Sequence, residues 1–278
     1  MSVNKSVTFV ILLISSLMKG QVLQDTVAYE YLKTVQIAPV GAPLDFPAYE
    51  LGVKNGLEFS FDDMAYEWNN YAYKIYHCTK DWEKSDLLIN QYLDGFDGNY
   101  LNDFAISVGT FVPYTHYSLR IPNVNARPRI SGNYVLEVYQ NDDPTDLIIR
   151  RRFIVYEDLV LPSVQVLRAT DLTNFSSEQM VNAKVALAGY PIQDYFQDLD
   201  LSILQNRRWD NSLNRLKPTF INDGMLEYNF LGEYAFEGGV EFHSFDTKRL
   251  NQVGMGVKVS QLDTCWSVYL EEKKNRSI

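Results

Sequence analysis

The sequence predicts an all-β protein: two immunoglobulin-like β-sandwich domains in tandem, the second incomplete at its C-terminus. Three observations carry this expectation. Apolar and polar residues alternate with period two in run after run. The runs are short and bounded by Gly, Pro, Asn and Asp. No stretch sustains a helical period. Composition agrees, because 46% apolar residues are ample for a core. The 19 tyrosines suit pleated, half-buried sheet surfaces first and a protein interface second.

Residues 1–20 read as a secretory leader. Lys5 supplies the basic start, and Val7 to Met18 is an apolar run of twelve, short of the roughly 20 residues a bilayer helix needs. Gly20 is the small residue at the cleavage point, although Lys19 beside it leaves that point open. No Cys follows the apolar run, so a lipid anchor is not expected. No later segment reads as a membrane-spanning helix, and the chain is expected to be exported and soluble. The formal net charge is −10. With the leader removed, 23 basic residues face 35 acidic ones, a charge of −12. Such a balance disfavours nucleic acid and anionic membrane surfaces, both of which need clustered cations.

The first domain is expected over residues 21–159. Its strands are read at Tyr29–Ile37, Leu57–Phe61, within NYAYKIYHCT, at Phe104–Thr110, within YTHYSLRIP, at Tyr134–Tyr139 and at Leu147–Tyr156. Seven short strands in about 130 residues are what a β-sandwich needs. The last two make a hairpin whose turn is Asn141, Asp142, Asp143 and Pro144. Its second strand holds Arg150, Arg151 and Arg152 in a row. Arg151 falls on the face of Leu147, Ile149, Phe153 and Val155, so a bulge near it, or a place at the open end of the sandwich, is expected. Arg150 and Arg152 are expected to meet solvent or acids such as Asp142 and Asp143.

A boundary is read at Glu157–Pro162, and the second domain over 160–278. Its strands are read within EQMVNAKVALAG and LDLSILQN, then at Met225–Leu231, Val240–Phe245, Met255–Leu262 and Trp266–Leu270. Cys78 and Cys265 fall in different domains, and two buried free thiols are expected.

Chemistry-bearing patterns are weak. His77, His116 and His243 have no second ligand at metal-binding spacing. His77 and Cys78, as strand neighbours, point to opposite faces. Asp94, Asp97, Asn99, Asn102 and Asp103 lack the alternating positions and closing acid of a calcium loop. Glu233, Glu237 and Glu241 are spaced by four around Gly238 and Gly239, and read as surface acids rather than a glycosidase pair. No nucleophile elbow, phosphate loop or zinc-protease motif is present. No catalytic, cofactor-binding or metal residue is therefore assigned.

Several blocks together resemble a known family. They are FDD at Phe61–Asp63, NYAYKIYHCTKDW at Asn70–Trp82, QYLDGFDGNYLNDF at Gln91–Phe104, FVPYTHYSLRIPN at Phe111–Asn123 and SGNYVLEVYQNDDPTDLIIRRRFIVYE at Ser131–Glu157. LQNRRWDNSLNRLKPTFI at Leu204–Ile221 and FEGGVEFHSFDTKRL at Phe236–Leu250 extend the match. The chain resembles the plug protein of the type IX secretion system. That resemblance implies a non-enzymatic periplasmic protein without cofactor or small-molecule substrate. It would close the periplasmic opening of a large outer-membrane β-barrel translocon and reach the outer membrane only through that partner. It leaves Arg150 and Arg152 to meet an acidic channel rim, and otherwise assigns no binding residues. The family usually continues beyond Ile278, so a truncated chain is expected. The competing reading is an exported carbohydrate-binding module with Trp68, Trp82 and Trp209 as platforms.

Overall fold

In a computed structural model the described residues are 22–65, 69–140, 143, 145–168, 178–229, 235–238 and 244–272. The expected leader, Trp68, the turn residues Asn141, Asp142 and Pro144, and most of the expected Val240–Phe245 strand lie outside them. Two units divide between Glu157 and Asp158.

The first unit begins with β1 (Thr26–Val27), β2 (Leu32–Pro39), β3 (Ala48–Glu50), β4 (Leu57–Asp63) and β5 (Tyr71–Cys78). A single helical turn at Ile89–Tyr92 precedes β6 (Leu93–Gly95), β7 (Asn99–Tyr100), β8 (Asp103–Ile106) and β9 (Thr115–Ile121). It closes with β10 (Ala126–Pro128), β11 (Gly132–Gln140) and β12 (Leu147–Tyr156). One sheet runs β1-β12-β11-β5-β7, with β3 also on the outer edge of β12. The other runs β2-β4-β9-β8, and a small β6–β10 ladder stands apart.

Alternation explains how the two sheets meet. Phe59 and Phe61 of β4 and Tyr117 and Ile121 of β9 are buried, and so are Tyr71, Tyr73 and Ile75 of β5 and Tyr134, Leu136 and Val138 of β11. They join one core with Ile149, Phe153 and Val155. Phe61 stacks on Tyr117 at 5.1 Å and meets Tyr71 edge-on at 5.3 Å. Such pairs add roughly 0.5–1.5 kcal/mol each beyond area burial. The tyrosines are thus chiefly sheet core, as the duller sequence reading holds.

The β11–β12 hairpin does carry a bulge, but not near Arg151. It lies where Val138 pairs Ile149 and Tyr139 pairs Leu147, leaving Ile148 as the extra residue. Both Ile148 and Ile149 then enter the core. From Ile149 onward the alternation is regular, and Arg151 stands opposite the fully buried Leu136.

In the second unit β13 (Leu161–Arg168) pairs β14 (Glu178–Ala186). After β15 (Leu201–Leu204), β16 (Ser212–Leu216) and β17 (Phe220–Asn222) comes β18 (Met225–Tyr228), which pairs both β14 and β17. β19 (Ala235–Glu237) also pairs β14, and β20 (Val257–Leu262) forms a hairpin with β21 (Trp266–Leu270). A smaller core of Ala183, Leu187, Leu216, Leu226 and Tyr228 joins the β14–β18 sheet to the β15–β16 ladder. Among the described residues the regular structure is all-β, apart from the turn at Ile89–Tyr92 and a 3-10 turn at Gln205–Arg207.

Gly132 starts β11 with φ +148°, and a Cβ built there would lie 2.4 Å from His77 Nε2. Both the backbone and the packed His77 ring demand glycine. Gly132→Ala is expected to cost about 2 kcal/mol or more of stability, from strain and overpacking together. Gly98→Ala, where the nearest group is Lys74 Cε at 3.9 Å, is expected to be near neutral. Urea unfolding of both variants checks the contrast.

Candidate interaction surfaces

The three arginines face inward to the protein rather than outward. Arg150 stands opposite Glu137 across the β11–β12 ladder. Its Nε donates to Glu137 Oε1 at 2.6 Å and its Nη2 lies 2.5 Å from the same oxygen, with both side chains largely buried. Tyr139 donates to the other carboxylate oxygen. A buried carboxylate is tolerable only with such partners.

Arg152 is 8% exposed. Its guanidinium stacks on Trp82 at 4.8 Å and its Nε donates to the carbonyl of Leu23. Its backbone N–H donates to Asp25 Oδ1 at 2.8 Å. Burial pushes the Arg152 guanidinium down from its ordinary value, and the charge of Asp25 opposes that. Arg151 Nη1 donates to the carbonyls of Arg150 at 2.9 Å and Thr26 at 3.3 Å. The row therefore clips residues 22–28 onto the edge of β12. Thr26 pairs Arg150, Val27 pairs Ile149, and the Leu23 N–H donates to the Trp82 carbonyl at 2.9 Å. Solvent or acids such as Asp142 and Asp143 were expected; Asp142 lies outside the described residues, and the acids the structure supplies are Glu137 for Arg150 and Asp25 for the Arg152 backbone, with the Leu23 carbonyl at the Arg152 side chain. A meeting of Arg150 and Arg152 with an acidic channel rim would first have to break these bonds.

Arg152→Ala removes the bond to Leu23 and the stack on Trp82, and is expected to cost about 1–3 kcal/mol. Amide exchange at Leu23, measured by mass spectrometry on the fragment covering 22–28, should rise while exchange in β4 and β9 stays unchanged.

Other sequence candidates do not converge. Among the described residues no group of three or more His, Cys, Asp or Glu could hold a metal ion. Asn99 is spent on the carbonyls of Phe96 and Asn125, and Asp97 faces Lys74 at 3.5 Å. Glu237 is exposed on β19, and Glu233, Glu241 and His243 lie outside the described residues. His116 Nδ1 meets Asp62 Oδ1 at 2.6 Å as a cross-strand pair. Both cysteines are free, but only Cys78 is buried, where burial pushes its thiol up to about 12; Cys265 is exposed, against expectation. Trp82 lies 9% exposed beneath Arg152 and offers no sugar platform.

His77 packs edge-on against Tyr134 at 5.2 Å, with Nδ1 2.9 Å from Ser85 Oγ. Burial lowers its pKa from 6.5, opposed by a backbone hydrogen bond with Ser131. The unfolded chain then binds the proton more readily than the folded one. This contribution to stability is full above about pH 6.5 and is lost as pH falls through the folded value. The urea midpoint is expected to drop as pH falls below about 6.5, and His77→Gln should flatten that part of the profile.

One surface was missed by sequence reading. β8 pairs β9 on one side only and ends the sheet. Phe104 and Ile106 on it, and Val108, Phe111 and Val112 in the loop after it, are all exposed, Phe111 completely and Val108 at 92%. Residues 104–115 contain no charge. The loop has a fixed shape, because Ser107 N–H donates to the Tyr114 carbonyl and Tyr114 N–H to Ser107 Oγ, both at 2.9 Å. The signal was readable as a run of twelve uncharged residues, but half of it alternates like an ordinary strand.

Residues 32–157 match the family model described as type 9 secretion system plug protein, first domain. A crystal structure of a hypothetical protein from Parabacteroides merdae ATCC 43184 is similar, with 29% identity and a TM-score of 0.79. The match covers 89% of this chain and 63% of that one, so this chain spans less than two thirds of its length. No curated protein matches.

Proposed function

We propose that the chain, whose residues 32–157 match the family model of the type 9 secretion system plug protein first domain, is a periplasmic stopper. It closes the periplasmic opening of a large outer-membrane β-barrel translocon, and it does so without chemistry. The family match over the first unit is the observation that carries this reading. Physical sense supports it, since a wide water-filled barrel leaks unless it is filled or covered. In this reading the stopper is a tandem of immunoglobulin-like sandwiches. It is held at the outer membrane through the translocon alone, and among the described residues no helix is long and apolar enough to cross a membrane.

The uncharged edge formed by β8 and the loop to Tyr114 is the surface that would seat against the barrel. Single exposed apolar residues are ordinary, whereas a contiguous apolar group beside an open sheet edge is a docking surface or an aggregation hazard. Seating would bury Phe111 and Val108 and satisfy the open edge in one step.

The test is an affinity pull-down of the native full-length protein from its own outer membrane in mild detergent. One giant β-barrel should be retained in near-equal amount. Phe111→Asp with Val108→Asp should reduce it about tenfold or more, the scale of interface hot spots, with the urea midpoint unchanged. A clean bait without a barrel would overturn the reading, and full retention by the double variant would move the seat elsewhere.

A further inference from the structure

At the opposite end of β9 from the apolar loop, the first unit holds a cleft of about 630 Å³. This is well inside the range of ligand sites, roughly 300–1,000 Å³. Three cations line it: Lys54 after β3, and Arg127 and Arg129 beside Pro128 of β10. No acid lines it. Among the described residues Arg127 and Lys54 form no ion pair, and the Arg129 guanidinium donates only to the carbonyl of Asn90, at 3.1 Å. Apart from Asn123 and Tyr49 the rest of the wall is apolar, with Leu51, Val53 and the largely exposed Val124. In a chain of net charge −10, a cation-lined hollow without a carboxylate stands against the overall field.

The walls are fixed before any ligand arrives. Asn123 Oδ1 accepts from the N–H groups of Asn125 and Ala126 at 2.8 and 3.0 Å. Its Nδ2 donates to the Arg120 carbonyl and to the Tyr73 hydroxyl at 2.8 and 3.1 Å. Gly95 of β6 lies so close behind that a Cβ there would meet the Asn125 carbonyl oxygen at 1.9 Å. A preformed wall lowers the ordering cost of binding.

We infer that this cleft binds an acidic peptide segment of a partner protein, with carboxylates on Lys54, Arg127 and Arg129 and apolar side chains against Leu51, Val53 and Val124. Charge complementarity names the ligand class. The walls favour a peptide over a small anion, because the side-chain amide on the wall that could orient a small molecule, Asn123, has its hydrogen bonds spent inside the fold. Long cations and open apolar walls suit a chain that alternates acidic with apolar side chains. This site is separate from the proposed seat on the barrel and stands whether or not that seat is right.

The experiment uses the full chain and two fluorescein-labelled short peptides, one alternating Glu with Val or Thr, the other with Gln in place of every Glu. Anisotropy is read in about 20 mM salt and again at about 200 mM, since screening weakens surface electrostatics. The Glu peptide should bind about tenfold or more tightly than the Gln peptide, and the gap should shrink with salt. Arg127→Glu with Arg129→Glu should remove the gap, Lys54→Glu alone should narrow it, and Lys258→Glu in the second unit should leave it intact. Equal binding of the two peptides, no binding of either, or a gap that survives the double variant in folded protein would overturn the inference. Complete displacement by millimolar inorganic phosphate would also overturn it, because the cleft would then be a small-anion site.

Discussion

A buried tyrosine brings a hydroxyl into the core, and that hydroxyl must find a partner there or cost about 1–3 kcal/mol. The first unit is organised around this constraint. Tyr71 donates to Asp63 at 2.8 Å, Tyr117 to the Asn69 carbonyl at 3.1 Å and Tyr134 to the Ile130 carbonyl at 2.8 Å. Tyr73 meets Asn123, and Tyr139 meets Glu137. Each ring belongs to a strand, and each partner here except Glu137 sits in a connection or at a strand end. The aromatic core therefore reaches out and holds the loops. Asp63 shows the same constraint from the other side: it is fully buried, and it accepts from Ala65 N–H, Asn69 Nδ2 and the Tyr71 hydroxyl. Its neighbour Phe61 stacks in the core, so FDD is a structural block rather than a chemical one.

Rigid loops make the treatment of the sheet edges significant. β12 is covered by β1 at one end and by β3 at the other, and the arginine row fastens the first of these. β7, at the far edge of that sheet, has only two residues. In the second sheet β2 is broken by an irregularity between Lys33 and Gln36 and presents polar side chains. Three edges are thus covered, shortened or blunted, which is how soluble sheets avoid pairing with strangers. The β8 edge is the exception, with apolar side chains and an ordered apolar loop beside it. An exposed feature that the rest of the fold takes care to avoid calls for an occupant, and the plug reading supplies one.

How much of this was legible depends on whether a residue's neighbour could be read from period alone. β5, β9 and β12 were found within a residue or so of their limits because one face of each is core. The short edge strands β1, β3 and β7 were not read, since two or three residues carry no period. Arg151 breaks the pattern in the sequence as it does in the structure, but the bulge sits at Ile148 instead, where two adjacent isoleucines both belong to the core. Reading Arg150 against Glu137 needed the hairpin register, which the bulge at Ile148 shifts. The arginines looked like a solvated run because composition reports charge and not what stands across the ladder. The cleft was invisible for a related reason: Lys54, Arg127 and Arg129 come from separate connections and strands, brought together by tertiary folding.

The fate of the cations then separates structure from function. Arg150, Arg151 and Arg152 are consumed by Glu137, Thr26, Leu23 and the Trp82 ring, so their charge does work inside the fold. Lys217 is similarly tied to Asp200 at 2.6 Å and to the Leu199 carbonyl at 2.7 Å. In a chain with ten more acids than bases, each cation has acids to choose from. Among the described residues Lys54 and Arg127 form no ion pair, and they line the same hollow. Surface pairs are worth only about 0–1 kcal/mol, so leaving these two unpaired costs the fold little and keeps their full charge available to an incoming carboxylate. An acidic body that holds back unpaired cations in one cleft repels most acidic chains at a distance and admits one only where the local field reverses, which makes the cleft a selective contact rather than a sticky one.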